Sequence, residues 1–477
     1  MNGSNSSSTG TCSPYPTIDL TQAIIKPKNG NDRALQEVQS QVKSACHKYG
    51  CFHIQFDADI LAQLLEEDIH ETSDVSDLDL KNISSLVRFA DESSVKQTIE
   101  TLFQKDFLSA CFGESDTIES NTSTIRFPAS ERTSSNDYSC TQTHEATYRG
   151  RCAESGSVAK VDDVGTTTLS NSLGEPKQSW EIFRCQDNDG TRTNKQSPDR
   201  SDTQGSNSQR LLVMQDYIHA LHYVALLLFS PSILNVPDST FACQQNQKAT
   251  SSMDLLRVFR YDALTSSKAQ QENLGSSPHT DWGSLTVVWQ DSKGGLQMYD
   301  HERECWNDVT VATPKEEKRI ARFFIHVGDF LSLTMNAETI ADTKNRMGRT
   351  KCWPSPLHRV LCPLEQDENG NEQEDKTGSN SRCSLVYFVY PPSGKSIEDV
   401  ENSLFGNESA HLLSTHAQYN KTFPFSHYML LEDQSAKESS CGLDASSEEE
   451  RAMKVYSSIR HQPFDQVIQD KWKQVQR

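Results

Sequence analysis

The stretch Pro278-His279-Thr280-Asp281-Trp282-Gly283-Ser284-Leu285-Thr286-Val287-Val288-Trp289 decides how this chain reads. Its second half, Leu285 to Trp289, is a short β-rich run. Similar runs stand at Leu255 to Tyr261, Gly295 to Tyr299, Trp306 to Val311, Phe323 to Val327, Phe330 to Met335, His358 to Leu361 and Ser384 to Tyr390. Gly, Pro and Asn/Asp separate them. Many short strands divided by turn signals predict an all-β barrel or jelly roll. The first half carries chemistry. On an extended strand residues i and i+2 face one side, so His279 and Asp281 can aim an imidazole nitrogen and a carboxylate oxygen at one point. In a chain with fourteen histidines a lone His-x-Asp fits a surface turn equally well, so its neighbours must decide.

Working outward, Pro356-Leu357-His358-Arg359-Val360 offers a third donor, His358. Two neutral imidazoles and one carboxylate hold iron(II) on one octahedral face and leave the opposite face open for substrate and dioxygen. Next comes Arg382-Cys383-Ser384, in which Arg382 and Ser384 again share a face. A guanidinium fork binds a carboxylate in bidentate fashion and a hydroxyl adds a donor. An Arg at the start of a strand is common, so this pair also draws its weight from its place after the other motifs.

The order is His279-Thr280-Asp281-Trp282-Gly283-Ser284-Leu285-Thr286, Gly295-Leu296-Gln297, Trp306-Asn307-Asp308-Val309, Gly328-Asp329, His358-Arg359-Val360 and Arg382-x-Ser384. It resembles the isopenicillin N synthase-like branch of the 2-oxoglutarate/iron(II) dioxygenases, with its HTDxGxLT, GLQ, WxxV, GD, HRV and RxS motifs. Tyr15 to Leu20 resembles that branch's N-terminal PxIDL, and Tyr148-Arg149-Gly150 its YRG. The resemblance implies a mainly β core with flanking helices: a double-stranded β-helix (jelly roll), an N-terminal α/β region and a C-terminal helix. It implies iron ligation by His279, Asp281 and His358, and binding of the distal carboxylate of 2-oxoglutarate by Arg382 and Ser384. Tyr261, in Phe259-Arg260-Tyr261, matches the second Tyr of the plant Asn-Tyr-Tyr motif, which reaches the same carboxylate. No catalytic side chain is implied beyond the metal ligands.

Three departures stand out. Phe259 takes the place of the plant Asn, the stretch between Asp281 and His358 is long because of a polar insertion at Ala337–Trp353, and residues 113–209 carry atypical insertions.

The implied cofactors are Fe(II), 2-oxoglutarate as co-substrate, and dioxygen. The implied reaction is hydroxylation of a small organic molecule with release of succinate and carbon dioxide; desaturation and ring closure are variants. Asp281 argues against a halogenase, where a small residue would vacate that position. One alternative is an iron(II) oxidase of the isopenicillin N synthase type, which takes all electrons from its substrate; Tyr261 leans toward 2-oxoglutarate. Another is a non-catalytic relative kept as an interaction module, against which the intact set of five polar residues counts.

The bulk numbers bound the rest. The chain has 477 residues, a net charge of −20, a pI near 5.1 and 35% hydrophobic residues. The acidic balance opposes phosphate-backbone binding, which needs clustered Lys and Arg. The N-terminus lacks an apolar signal segment, and the longest apolar run, Tyr223 to Phe229, is too short to span a bilayer. Thirteen cysteines without a CxxC pair read as reduced thiols. We therefore expect a cytoplasmic monomer whose partner is a small-molecule substrate, with no nucleic acid and no membrane.

The expected divisions are a disordered tail at 1–13, an N-terminal region with long polar insertions at 14–209, the jelly-roll core at 210–400 and a helical extension at 401–477. Helices are expected at Ala34 to Tyr49, within 60–112, at Leu211 to Leu228 and from Ser447 to Arg477, the last opened by a Ser447-x-x-Glu450 capping box. Residues 113–209 are expected to be loops with ordered islands at Tyr148-Arg149-Gly150 and Trp180 to Phe183. Trp282 and Phe388 could line a substrate pocket. Asp329 reads as a turn residue, His219, His222 and His326 as structural, and His411 and His416 as solvated. Cys305, Cys352, Cys362 and Cys383 lack zinc-ligand spacing.

Overall fold

A computed structural model of the chain describes residues 13–25, 32–68, 77–113, 122–128, 143–150, 159–161, 167–169, 176–184, 203–236, 254–264, 274–300, 303–309, 318–332, 353–364, 380–391, 394–396, 398–399, 402 and 460–475. The strands are β1 (Thr17–Asp19), β2 (Cys51–Asp57), β3 (Thr122–Pro128), β4 (Thr143–Arg149), β5 (Ala159–Val161), β6 (Thr167–Leu169), β7 (Lys177–Arg184), β8 (Leu255–Tyr261), β9 (Ser276–His279), β10 (Leu285–Gln290), β11 (Leu296–Asp300), β12 (Cys305–Asp308), β13 (Ile320–Val327), β14 (His358–Val360) and β15 (Arg382–Val389). The helices are α1 (Thr21–Ile24), α2 (Asp32–Tyr49), α3 (Ala58–Asp68), α4 (Asp77–Arg88), α5 (Glu92–Leu102), α6 (Lys105–Phe112), α7 (Thr203–Phe229) and, near the C-terminus, α8 (Phe464–Val475).

Nine strands form one large sheet in the order β1-β2-β13-β10-β15-β8-β7-β4-β3, and four form a smaller one, β12-β11-β14-β9. From β8 onward the chain alternates between them. β8, β10, β13 and β15 lie in the large sheet, while β9, β11, β12 and β14 lie in the small one. β1 and β2 run parallel, whereas the pairs from β7 to β15 are antiparallel.

The period-2 pattern of the large sheet sorts its faces. Leu256 and Val258 of β8, Leu385 and Tyr387 of β15, Val287 and Trp289 of β10, and Phe323 and Ile325 of β13 join one hydrophobic cluster with the helices. Phe259 and Tyr261, Val288 and Phe324 sit on the other face, in a second cluster that includes Leu296, Met298 and Val360 of the small sheet. Tyr261, Arg382 and Ser384 lie on this second face, away from the helices, and β9 and β14 of the small sheet carry His279 and His358.

Helix α7 supplies much of the first cluster. Its stretch 210–229 is apolar and long enough to cross a membrane by length and composition, beyond what its longest uninterrupted apolar run suggests. Leu211, Met214, Leu221, Val224 and Leu228 are nevertheless buried in the cluster behind the large sheet, which is the place of a core helix.

Two expectations are corrected. The islands at Tyr148 and Trp180 are parts of full strands: β4 pairs with β7, and β7 with β8. Tyr148, Trp180 and Ile182 are buried there, under polar alternate residues that masked the pattern. The run from Phe330 was read as a strand, but 329–332 is a helical turn whose Ser332 N–H donates to Gly328 O at 2.9 Å. The insertion before Trp353, His411, His416, Cys352 and the Ser447 capping box lie outside the described residues.

Candidate metal centre

β9 and β14 pair so that His279 stands opposite His358. Their ring centroids are 4.2 Å apart. Asp281 follows β9 by two residues, and ligand atoms of His279, Asp281 and His358 all lie within 4.8 Å of one another. Asp281 Oδ1 is 3.8 Å from His279 Nε2 and 3.7 Å from His358 Nε2. Backbone carbonyls fix both rings: His279 Nδ1 is 2.6 Å from Ser277 O, and His358 Nδ1 is 3.1 Å from Pro356 O. A carbonyl only accepts, so Nδ1 carries the proton and each Nε2 presents its lone pair to the shared point.

The second carboxylate oxygen of Asp281 faces the large sheet. Thr286 Oγ1 of β10 donates to Oδ2, and His326 Nε2 of β13 stands 3.5 Å from it. His326 is 1% exposed. Burial, and after it the neighbouring His358, hold its pKa well below the ordinary histidine value, so it stays neutral. Beneath the loop, Asp329 N–H donates to Asp281 O at 2.7 Å and Phe330 N–H to Gly283 O at 3.1 Å. Thr280 Oγ1 donates to Asp329 Oδ2 at 3.0 Å. Gly328 lets the chain pass here, because a Cβ on it would come within 2.2 Å of Gly283 O.

This donor set fits a divalent cation. Asp281 is 5% exposed, and its ion-pair partners among the described residues are imidazoles, with no Lys or Arg. A buried carboxylate needs a counter-charge, and neutral imidazoles cannot supply one. Nitrogen and oxygen donors of this kind suit iron(II).

The same cavity, about 170 Å³ in volume, reaches from these three residues to Arg382, Ser384 and Tyr261. Arg382 is 2% exposed. Its Nε donates to Gly294 O, its Nη1 to Ser384 Oγ at 3.2 Å and its Nη2 to Gln290 Oε1 at 2.9 Å, and the guanidinium carbon lies 4.6 Å from the Tyr261 ring centroid. Each Nη has a second hydrogen to give. No Asp or Glu among the described residues forms an ion pair with this cation. Gly295, at φ +90°, shapes the turn that brings Gly294 O to it. Register explains the meeting: Arg382 pairs with Tyr261 across β15 and β8, and Ser384 with Phe259.

Trp282 and Phe388 line the cavity, as does Tyr390, whose ring stacks on Phe388 with centroids 6.2 Å apart. Burial and then the nearby Asp281 charge push the Tyr390 pKa well up. Lys177, in the place of a predicted loop, also lines it; its Nζ donates to Ser276 Oγ at 2.9 Å and lies 5.2 Å from the Phe259 ring centroid. His222 lies elsewhere, with Nδ1 2.9 Å from the Tyr387 hydroxyl behind β15. Sequence reasoning missed Thr286, Gln290, Lys177 and Tyr390, and read His326 only as structural. Thr286 closes the HTDxGxLT-like motif; Lys177 had no signal, because its strand is short of apolar alternation.

Residues 253–391 match the family model described as the 2OG-Fe(II) oxygenase superfamily. The match spans the strands from β8 to β15, and this part of the chain is similar to that superfamily. Parts of curated proteins are similar as well. The chain is 34% identical over 216 residues to the proline hydroxylase buaE of Petromyces alliaceus, covering 44% of this chain and 57% of the relative. It is 36% identical over 145 residues to the 2-oxoglutarate-dependent dioxygenase frbA of Dothideomycetidae sp., covering 30% and 36%. It is 30% identical over 135 residues to a 2-oxoglutarate-dependent dioxygenase of Didymella fabae, covering 28% and 30%. The chain thus spans about a third to a little over half of the length of these relatives. Among solved structures, a full-length Neurospora crassa protein in complex with alpha-KG is 17% identical, with 83% of this chain and 90% of that chain covered at a TM-score of 0.42.

Proposed function

We propose that this chain is an Fe(II)- and 2-oxoglutarate-dependent dioxygenase of the isopenicillin N synthase-like branch, hydroxylating a small organic substrate. The supporting observation is that the His279, Asp281 and His358 donors and the buried Arg382 cation open into one cavity. The alternation of β8 to β15 between the two sheets supports reading the core as a double-stranded β-helix.

In this reading His279 Nε2, His358 Nε2 and an Asp281 oxygen hold iron(II), while Thr286 keeps the other oxygen turned away. When bound, the iron supplies dioxygen activation coupled to decarboxylation of 2-oxoglutarate. Arg382 gives its two remaining Nη hydrogens to the distal carboxylate of 2-oxoglutarate, with the Ser384 and Tyr261 hydroxyls beside it. That charge-assisted fork fixes the co-substrate at the end away from its keto acid group. Trp282, Phe388 and Tyr390 form an apolar wall near the donors that positions a substrate C–H bond and excludes water. The balance is one substrate C–H, one dioxygen and one 2-oxoglutarate giving one C–OH, one succinate and one carbon dioxide.

The test follows 2-oxoglutarate consumption across a panel of candidate small molecules. Stoichiometric succinate and carbon dioxide with oxidised product support the proposal. Substrate oxidation without succinate contradicts it and points to the isopenicillin N synthase type of oxidase.

A further inference from the structure

Helix α5 lies on the outside of the strand that starts with Arg382. Val95, Ile99 and Leu102 bury one of its faces. Glu92, Lys96 and Glu100 recur at i, i+4 and i+8, so they share another. Lys96 and Glu100 hold Ser381, the residue before Arg382, and Glu92 holds Ser292, in the turn that Arg382 meets. Lys96 Nζ donates to Ser381 O at 3.1 Å and lies 3.1 Å from Asp291 Oδ2. Glu100 Oε1 accepts from Ser381 Oγ at 3.2 Å, and Glu92 Oε1 from Ser292 N–H at 2.6 Å. Asp291, with a side chain 0% exposed, accepts from Cys383 N–H at 2.9 Å, and its own N–H donates to Cys383 O at 3.2 Å. The same turn carries Gly294, whose N–H donates to Asp291 O at 3.2 Å and whose carbonyl receives Arg382 Nε. Burial, the largest single effect, lowers the Lys96 pKa, but the Asp291 charge, the hydrogen bond to Asp291 and the nearby Glu100 together outweigh it and the net shift is upward, so the cation is kept.

We infer that α5 is a clamp for the co-substrate anchor, in which Lys96, and Glu100 beside it, are positioning residues that set the aim of the Arg382 guanidinium. The residues on both sides of Arg382 and the carbonyl on its Nε are all tied, directly or through Asp291, to one face of one helix. A fork that must meet a carboxylate with two hydrogen bonds tolerates little rotation. The clamp does not touch His279, Asp281 or His358, so it acts on co-substrate affinity and leaves metal affinity alone. This inference rests on reading Arg382 as the 2-oxoglutarate anchor.

The experiment measures anaerobic Fe(II) binding, and then 2-oxoglutarate binding to the Fe(II)-loaded chain, by calorimetry in wild type, Lys96→Met, Lys96→Arg, Glu100→Gln and Arg382→Gln. The clamp predicts unchanged Fe(II) binding in Lys96→Met, 2-oxoglutarate binding weaker by about tenfold, the usual scale for a supporting partner, and recovery in Lys96→Arg. Glu100→Gln shows a smaller loss of the same kind and decides the matter if Lys96→Met does not fold. Equal 2-oxoglutarate affinity in these variants and wild type overturns the clamp, as does a parallel loss of Fe(II) and 2-oxoglutarate binding. Wild type that binds Fe(II) but no 2-oxoglutarate, or Arg382→Gln that binds it as wild type does, overturns the anchor reading and the clamp with it.

Discussion

Asp281 divides its two oxygens between two sheets. Oδ1 faces the histidines of the small sheet, and Oδ2 receives Thr286 and faces His326 of the large one. Removing the Thr286 hydroxyl leaves a buried carboxylate oxygen short of a donor without touching a ligand. Thr286→Val is therefore expected to weaken Fe(II) binding by about 10- to 100-fold, and Thr286→Ser to restore it, as read by anaerobic Fe(II) titration. Arg382→Gln removes a buried charge from the carboxylate fork. It is expected to weaken 2-oxoglutarate binding by about 100-fold or more, near 3 kcal/mol, while Fe(II) binding is kept. Asp281 and Arg382 were legible because each belongs to a motif of fixed spacing. Lys177 and Tyr390 were not, since they reach the cavity through register and folding, and nothing in their local sequence marks them.

Among the elements, the strands from β8 to β15 were readable because apolar alternation and turn residues coincide there. β4 and β7 were not, because Thr, Glu and Arg fill many of their alternate positions and the buried apolar face rests on Ala146, Tyr148, Trp180 and Ile182. The misread strand after Gly328 has the same kind of cause. Phe330 and Leu331 are buried and apolar, but the loop of Asp281 to Gly283 takes the Asp329 and Phe330 N–H groups and winds the chain into a helical turn. Gly328 is the point of contact. Gly328→Ala places a Cβ where Gly283 O now sits, and the loop carrying Asp281 must move. The expected outcome is a loss of about 1–3 kcal/mol in unfolding free energy together with weaker Fe(II) binding, measured by denaturant unfolding and metal titration on the same preparation.

At the scale of the whole molecule, the two faces of the large sheet divide the work: one packs on helices and holds the fold, the other faces the cavity that His279, Asp281, His358 and Arg382 line. The acidic composition says nothing of this division, which only the strand periodicity reveals. The buried histidines near the junction of β2 and β13 also make stability depend on pH. Burial, and then the Arg322 charge, lower the His53 pKa from 6.5 to about 4. The folded chain thus keeps His53 neutral between these values while the unfolded chain takes up the proton. Its contribution is fully present above pH 6.5 and is lost as pH falls from 6.5 towards 4, with a slope of at most about 1.4 kcal/mol per pH unit. Urea unfolding at pH 7.5 and pH 5 is expected to show this loss in wild type and a flatter profile in His53→Gln.

The central claim is that His279, Asp281 and His358 build one iron site that shares its cavity with a 2-oxoglutarate anchor. Anaerobic Fe(II) titration of the purified chain, repeated on Asp281→Ala, tests it most directly. The account predicts one Fe(II) per wild-type chain and none held at the same affinity by Asp281→Ala. Wild type that binds no Fe(II), or Asp281→Ala that binds it as tightly, would contradict the account.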